Sequence, residues 1–145
     1  MVMKKSLIPS ISITWVQTNY SELPEMPETA FYAFSRGGNL LYIGVAYRQL
    51  LKLEIDYNIK RFSIQLNGLS IWIGFETYMT YKYLTRSLVF STECLLIHLN
   101  QPIKNSQCKM AYNIDNHLDN LRVRSYDFPL LIPVIRIQNE KFYRS

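Results

Sequence analysis

The sequence is poor in cysteine and contains no long apolar run. Its 145 residues include two cysteines, Cys94 and Cys108, too few for a disulfide framework or a four-cysteine zinc site. We therefore interpret both as small core or surface residues. No apolar stretch reaches the roughly 18 residues of a transmembrane helix, and Pro9 interrupts the apolar segment near the start that resembles a signal sequence. These features predict a cytoplasmic protein that does not enter the membrane.

The signatures of several enzyme classes are missing as well. No HxxxH, CxxC, GxSxG or phosphate-loop pattern occurs in the sequence. Zinc hydrolases, serine esterases and P-loop enzymes are therefore removed from consideration. The sequence also contains no internal repeat or low-complexity tract, and its length suits one domain, which we expect to span residues 1–145.

Positive charge is in excess and unevenly distributed. The net charge is +5 at pH 7, and by count the segment 59–105 carries five Lys or Arg against two Asp or Glu. A solvated basic surface and a footprint for a polyanion both fit this pattern. On the second interpretation, the candidate nucleic-acid contacts are Lys60, Arg61 and Lys104.

Alternating apolar and polar residues predict several strands. These lie at Ile11–Val16, at about 30–35, at 40–44 and at Ser70–Glu76. The turn signal Ser35-Arg36-Gly37-Gly38-Asn39 predicts that the second and third strands form a hairpin. Tyr32 and Tyr42 are ten residues apart, so an even offset places both side chains on one face of that hairpin if the turn keeps the register.

Helical periodicity appears in two places. One helix is predicted directly after Gly44, with its apolar stripe formed by Ala46, Leu50, Leu51, Leu53 and Tyr57. A second is predicted over residues 84–99, capped by Thr85 and ended at Gln101-Pro102. For 106–145 we expect a loop or short helix and one final strand. The predicted fold is a small α/β or α+β domain in which helices flank an antiparallel or mixed sheet of three or more strands.

Three residue types in this pattern could carry chemistry. Glu93 lies among apolar neighbours, so its carboxylate is either paired, exposed on a polar face, or a ligand for Mg²⁺. Tyr32 and Tyr42 are two of eleven tyrosines, and packing is their default role. Gly44 ends a strand, or allows a nucleic-acid backbone to approach closely.

Residues 24–105 resemble a GIY-YIG nuclease domain. Ala30-Phe31-Tyr32 occupies the place of the GIY triplet and Tyr42-Ile43-Gly44 that of the YIG triplet. The segment from Glu93 through Pro102 to Asn105 is similar to the second signature of that family. Residues 106–145 lie outside this resemblance and would be an extension of the domain. Three roles are open for this extension: completing the sheet, forming a dimer or binding nucleic acid.

The resemblance implies a divalent-metal-dependent endonuclease acting on nucleic acid, with DNA favoured over RNA. Glu93 would hold one Mg²⁺ or Mn²⁺ ion, and Tyr42, or Tyr32 beside it, would act as general base. The family's catalytic arginine falls on Lys52, with Arg48 one turn earlier as a possible helper. Asn105 would position the loop on the metal side or a phosphate oxygen.

The departures from the family pattern support a second class of function. Lysine at position 52 cannot supply the bidentate fork of arginine, and Asp56 stands where many members carry His or Tyr. These exchanges favour a module that binds nucleic acid or a protein without cutting. An unrelated α/β interaction protein is a third alternative.

Overall fold

The strands of this protein form one mixed sheet. A computed structural model describes residues 8–24, 29–112, 117–138 and 141–144. The strands are β1 (Ser10–Thr18), β2 (Ala30–Arg36), β3 (Asn39–Ala46), β4 (Ser70–Met79), β5 (Asn120–Tyr126), β6 (Val134–Gln138) and β7 (Lys141–Arg144), and the helices are α1 (Leu51–Arg61) and α2 (Arg86–Asn100). The strand order is β3-β2-β4-β1-β5-β6-β7. Only the β1–β5 pair is parallel among these neighbours, so the predicted mixed sheet flanked by helices is confirmed.

The predicted hairpin joins β2 and β3. Gly37 and Gly38 form its turn with φ of +56° and +82°, the left-handed conformation that two-residue hairpin turns require and that glycine adopts without a Cβ clash. Tyr32 pairs with Gly44 and Phe34 with Tyr42, with a register shift after Phe34. Tyr42 is therefore the diagonal neighbour of Tyr32.

Helices cover both faces of the sheet near β2. Ala30, Tyr32 and Phe34 of this strand pack in one core with Leu51 and Ile55 of α1. The alternate side chains of β2 pack in a second core with residues of α2: Phe31, Ala33, Leu88, Val89 and Leu95. This double burial explains why β2 is apolar on both faces, whereas the edge strand β3 starts with exposed Asn39.

The predicted start of the first helix is wrong. Ala46 pairs with Ala30, so β3 continues past Gly44, and α1 begins only at Leu51. Between them Arg48 adopts φ +53°, which is incompatible with a continuous helix. The buried positions of α1 are Leu51, Ile55 and Asn58, whereas Leu53 and Tyr57 of the predicted apolar stripe are exposed.

The second helix agrees with its prediction. The Thr85 hydroxyl accepts a hydrogen bond from the Leu88 N–H and caps the helix, as expected. Gln101 ends the helix in the left-handed conformation, and its N–H bonds to the Ile97 carbonyl.

The C-terminal part contributes more strand than expected. In place of one final strand, β5, β6 and β7 extend the sheet beyond β1. The apolar run from Phe128 to Ile135 is strand only from Val134 onwards, because Phe128 turns into the core. Its ring lies 4.5 Å from that of Trp72 and 5.3 Å from that of Trp15. Part of the predicted loop, residues 113–116, lies outside the described residues.

The two cysteines lie in or against the core, within the interpretation as small core or surface residues, but they are also bonded to each other, which was not predicted. Cys94 of α2 and Cys108 are joined with their Cα atoms 5.3 Å apart. The chain turns back after α2, and Gln101 holds that turn by donating from its amide to the Lys109 carbonyl at 2.8 Å. This turn brings the two cysteines together although they are 14 residues apart in the sequence.

No helix in the described ranges combines the length and the apolar character needed to cross a membrane.

Candidate functional site

The Tyr32 phenol is the centre of a buried polar cluster. It donates a hydrogen bond to the Glu54 carboxylate at 3.2 Å and accepts one from the Asn58 amide at 2.6 Å. The same amide also donates to Oε1 of Glu54 at 3.0 Å. The Tyr32 side chain is fully buried, so these contacts replace the water that its hydroxyl loses on folding.

Gly44 allows Tyr32 to occupy this place. A Cβ atom at position 44 would lie 2.4 Å from Cζ and 2.5 Å from the hydroxyl oxygen of Tyr32. The Tyr32 ring therefore packs directly on the backbone of β3. In this structure the close approach that Gly44 permits is made by Tyr32, whereas its contact with nucleic acid stays a prediction.

Tyr42 adjoins Tyr32 and is more open. Their ring centroids are 5.9 Å apart, and Phe62 lies 5.1 Å from Tyr42 on the other side. Burial and the Glu93 carboxylate raise the pKa of Tyr42 to about 12, while a hydrogen bond with Tyr32 and the charge of Arg61 act in the opposite direction. Burial and the neighbouring acidic groups also raise the pKa of Tyr32 well above its usual value. Both phenols therefore keep their protons at neutral pH.

Glu93 of α2 belongs to the same cluster. Burial, and to a smaller extent the negative charge of Glu54, raises the pKa of Glu93 from 4.5 to about 8. The charge of Glu93 in turn raises the pKa values of Tyr42 and Tyr32. We call these five residues the tyrosine–carboxylate cluster: Tyr32, Tyr42, Glu54, Asn58 and Glu93.

Helix α1 presents different residues to the tyrosines than the resemblance suggests. The expected pair was Lys52 and Asp56, but Glu54 and Asn58 make the contacts with Tyr32. The residues of each pair are four apart and share one face of the helix. The two pairs are offset by two residues, so their side chains point in directions about 160° apart around the helix axis. Lys52 therefore lies on the opposite flank of α1, where Asp56 is hydrogen-bonded to Tyr20.

Arg48, the expected helper of Lys52, precedes α1 and is not part of that helix. Its guanidinium lies 5.2 Å from the Tyr47 ring centroid, and the Tyr47 ring lies 5.8 Å from that of Phe90. Arg86 covers the Phe90 ring at 5.4 Å. These residues form a row with an arginine at each end and two adjoining rings between them, the arginine–aromatic row: Arg48, Tyr47, Phe90 and Arg86. Phe90 is one turn of α2 before Glu93, so the row begins beside the cluster.

The three cationic residues predicted to contact nucleic acid are all exposed. Lys60 and Arg61 are exposed in the last turn of α1, and Arg61 stacks over the Phe62 ring at 4.9 Å. Lys104 is exposed, and its N–H donates to the Leu41 carbonyl of β3 at 2.7 Å. Of the three, Arg61 is the one whose charge acts on Tyr42.

Asn105 closes the outer edge of β3. Its amide oxygen accepts from the Ile43 N–H and its amide nitrogen donates to the Ile43 carbonyl, both at 2.9 Å. Ile103 and Lys104 add backbone hydrogen bonds to Leu40 and Leu41. Asn105 thus positions the loop after α2 against the YIG-like strand, while a contact of its side chain with phosphate stays a prediction.

The donor atoms of the cluster suit a hard divalent cation. Two carboxylates act on each other here, and such a pair is stabilised by a cation between them. The Asn58 amide nitrogen faces the Tyr32 hydroxyl, the Glu54 carbonyl and the Glu54 carboxylate, which fixes the orientation of the amide. Its Oδ1 is buried and has no hydrogen-bond partner within the described ranges. The Asn58 side chain, which contacts the Glu54 carboxylate through its amide nitrogen, therefore leaves one oxygen donor unused.

Sequence reasoning missed Glu54 and Asn58. Asn58 follows Leu51 and Ile55 at helical spacing, so it occupies an apolar stripe with a polar side chain. A buried amide needs partners, and Glu54 is one turn before it. A polar Asn58 within an apolar stripe, with Glu54 one turn earlier, was the available signal for this pair. It could be recognised only if the stripe of α1 was placed on Leu51 and Ile55.

No family model, curated protein or solved structure matches this chain. The functional conclusion therefore depends on the geometry of the cluster.

Gly44→Ala should destabilise the fold by about 1–3 kcal/mol, because the added methyl group overlaps the Tyr32 ring and the packed core cannot yield. Urea unfolding measures this cost. In a Tyr32→Leu background the cost should shrink, because leucine lacks the atoms that collide.

Gly74→Ala is the matched control. A Cβ there meets Ile13 and Trp15 in the other core, at 2.8 and 3.0 Å. It should also destabilise, but Tyr32→Leu should give no relief. Equal relief for both alanine substitutions would contradict the direct Gly44–Tyr32 contact.

Glu93 should titrate near pH 8 in protein freed of metal by a chelator, as followed by carboxyl ¹³C NMR. Between pH 4.5 and 8 the unfolded chain loses this proton while the folded protein keeps it, so the free energy of unfolding should fall as pH rises. Glu93→Gln should remove the contribution of this residue to the pH dependence of the free energy of unfolding. Glu54→Gln should lower the pKa of Glu93, because it removes a neighbouring negative charge. A pKa of Glu93 near 4.5 would contradict the buried cluster.

Proposed function

We propose that this protein is a divalent-metal-dependent endonuclease that hydrolyses phosphodiester bonds of DNA. The observation that carries the proposal is the tyrosine–carboxylate cluster, in which two phenols and two carboxylates interact. The buried Oδ1 of Asn58 in this cluster has no hydrogen-bond partner among the described residues. The GIY-YIG resemblance of residues 24–105 supports the same chemistry.

The oxygen donors of the cluster would hold one Mg²⁺ or Mn²⁺ ion. Glu93 and Glu54 would contribute carboxylate oxygens, which suit these cations, and the Oδ1 of Asn58 would join them through a water or after rotation of its amide away from Glu54. A bound cation of this kind stabilises negative charge on the phosphate and on the leaving oxygen.

The chain's own groups would orient the water and the phosphate. Tyr42 would hold the attacking water, because it is the more open phenol. It would accept the proton of that water only as a phenolate, a form that the positive charges of Arg61 and of a bound cation would favour. Tyr32 would keep Glu54 in place through its hydrogen bond. Arg61 would neutralise phosphate charge in place of Lys52, since its charge reaches Tyr42 whereas Lys52 lies on the other flank of α1.

The surface next to the cluster supports a nucleic-acid substrate. The arginine–aromatic row offers two guanidinium groups for phosphates and two rings for stacking. Two further exposed cations are Arg61, whose charge reaches Tyr42, and Lys104, whose backbone bonds to β3. Positive charge thus surrounds a cluster that is itself acidic, a distribution that draws a polyanion to a cation site.

The compartment that we propose is the cytoplasm, where nucleic acid is accessible. That environment is reducing, so the Cys94–Cys108 disulfide would be open there. A homodimer is compatible with this proposal, and its interface is not assigned.

One observation favours a second function, a module that binds nucleic acid without cutting. Glu54 takes the position at which the resemblance expects a cation. A carboxylate there repels phosphate unless a divalent ion is bound between them. Metal binding by the cluster therefore separates the two functions.

Wild-type protein with Mg²⁺ or Mn²⁺ should nick supercoiled plasmid, and Glu93→Ala should reduce the rate by about a hundredfold or more because a metal ligand is lost. Tyr42→Phe should also reduce it severely, since only the hydroxyl is removed. Mn²⁺ binding, measured by electron paramagnetic resonance, should fall in Glu93→Ala but stay in Tyr42→Phe.

Glu76→Ala on β4 is the matched control, and it should keep wild-type cleavage. Cleavage at the same rate by wild type and Glu93→Ala would identify a contaminant. DNA binding without cleavage, and without Mn²⁺ binding, would establish the non-cutting module instead.

Arg61→Ala should slow cleavage more than Lys52→Ala, because Arg61 and not Lys52 is near Tyr42. Single-turnover rates with saturating protein separate this effect from weaker binding. A large loss in Lys52→Ala with none in Arg61→Ala would contradict the assignment.

Arg48→Ser and Arg86→Ser should each reduce the slope of log affinity for DNA against log salt by about one, because each would remove a phosphate contact. Fluorescence anisotropy measures the slope. Arg124→Ser on β5 is the matched control, since β5 is four strands away from β3. The same change of slope in all three variants would show that the row has no special role.

A further inference from the structure

A second group of metal-binding side chains lies in the other core. The sulfur atoms of Cys94 and Cys108 and a ring nitrogen of His117 all lie within 4.8 Å of one another. They come from three separate segments: α2, the turn after it and the loop before β5. The fold therefore gathers three donors that are 14 and 9 residues apart in the sequence.

Neighbouring side chains hold the imidazole in this position. Nδ1 of His117 lies 3.4 Å from the Ser91 hydroxyl, which also accepts the Leu118 N–H at 3.0 Å. The His117 ring contacts that of Tyr112, with centroids 5.2 Å apart. Metal-ligating histidines are commonly oriented by such outer contacts.

We propose that the reduced protein binds one zinc ion through Cys94, Cys108 and His117. Two thiolates and one imidazole are a donor set that zinc prefers, with water completing a tetrahedron. The sulfur atoms would have to separate to about 3.8 Å around a shared zinc ion. Rotation of the two side chains can supply this, because the Cα atoms are 5.3 Å apart.

Zinc can bind only after the Cys94–Cys108 disulfide has been reduced, and an external dithiol can reduce it. The dithiol gives two electrons and two protons to the disulfide and becomes a disulfide itself, leaving two thiols on this chain. Zinc then displaces both thiol protons. In a reducing compartment a cysteine pair is more often a metal site than a disulfide, so the bonded pair is the oxidised form of the same site.

The zinc site would hold together the two segments that serve the tyrosine–carboxylate cluster. Cys94 directly follows Glu93 on α2, and Cys108 is three residues after Asn105. Either a disulfide or a zinc ion ties this helix to this loop. The metal would therefore keep the geometry of the cluster when the disulfide is open, but its binding does not depend on nuclease activity.

Cobalt(II) is the probe of choice, because thiolate-to-cobalt charge transfer reports sulfur ligation and carboxylates do not produce it. The full chain is reduced with a phosphine, freed of reductant without air and titrated with Co²⁺. We expect the charge-transfer and tetrahedral ligand-field absorption to reach its maximum at one thiolate-bound Co²⁺ per chain, and one equivalent of Zn²⁺ then removes this absorption. The oxidised protein should show no charge-transfer band.

His117→Gln should weaken Co²⁺ binding by at least about tenfold, because a ligand is lost, and Cys94→Ser or Cys108→Ser should remove the charge-transfer band or reduce it to that of one thiolate. His98→Gln is the matched control, since His98 is the other histidine and contacts the Cys108 carbonyl at 3.0 Å. It should bind like wild type.

His117→Gln keeps both cysteines and can be purified oxidised, so its folding can be checked by circular dichroism before and after reduction. This keeps the test decisive if a serine variant fails to fold. Absence of the charge-transfer band in reduced, folded wild type would overturn the proposal. So would equal Co²⁺ affinity in wild type and His117→Gln.

Discussion

The packing of the Tyr32 ring on the bare backbone of Gly44 is the contact on which the candidate site depends. With a side chain at position 44, the ring could not reach the place where its hydroxyl meets Glu54 and Asn58. That hydrogen-bonded group in turn fixes the face that α1 turns towards the sheet. Tyr42 then fills the space between Tyr32 and Phe62. A single glycine thereby connects the hairpin, the helix and the arrangement of polar groups.

The edge strand β3 explains how side chains from both faces of the sheet can meet. Tyr32 and Tyr42 belong to the core of α1, whereas α2 packs mainly in the other core. Because β3 is the last strand on its side, a side chain of α2 can approach the tyrosines around the edge. The loop held by Asn105 closes that edge, so the polar backbone groups of β3 are satisfied without another strand.

Local signals predicted the elements well and the phase of the first helix poorly. The glycine pair at 37–38, the alternation in β1 to β4 and the Thr85 cap each act over a few residues, and each agrees with the structure. The start of α1 depends on how far β3 stays paired with β2, which no local pattern records. Lys52 and Asp56 were expected from the spacing that the family resemblance gives after the YIG-like triplet. Because a two-residue offset places side chains on nearly opposite sides of a helix, Glu54 and Asn58 face Tyr32 in their place. The disulfide and the extra C-terminal strands were missed for the same reason, because they depend on segments that meet only in the folded chain.

The central claim is that Glu54 and Glu93 share a divalent cation. A crystal structure of the protein grown with Mn²⁺, with data collected to locate manganese by its anomalous scattering, tests it most directly. We expect one strong anomalous peak coordinated by carboxylate oxygens of Glu54 and Glu93, with Oδ1 of Asn58 as a ligand or one water away. Glu54 and Glu93 without manganese between them, in crystals soaked at millimolar Mn²⁺, would contradict it.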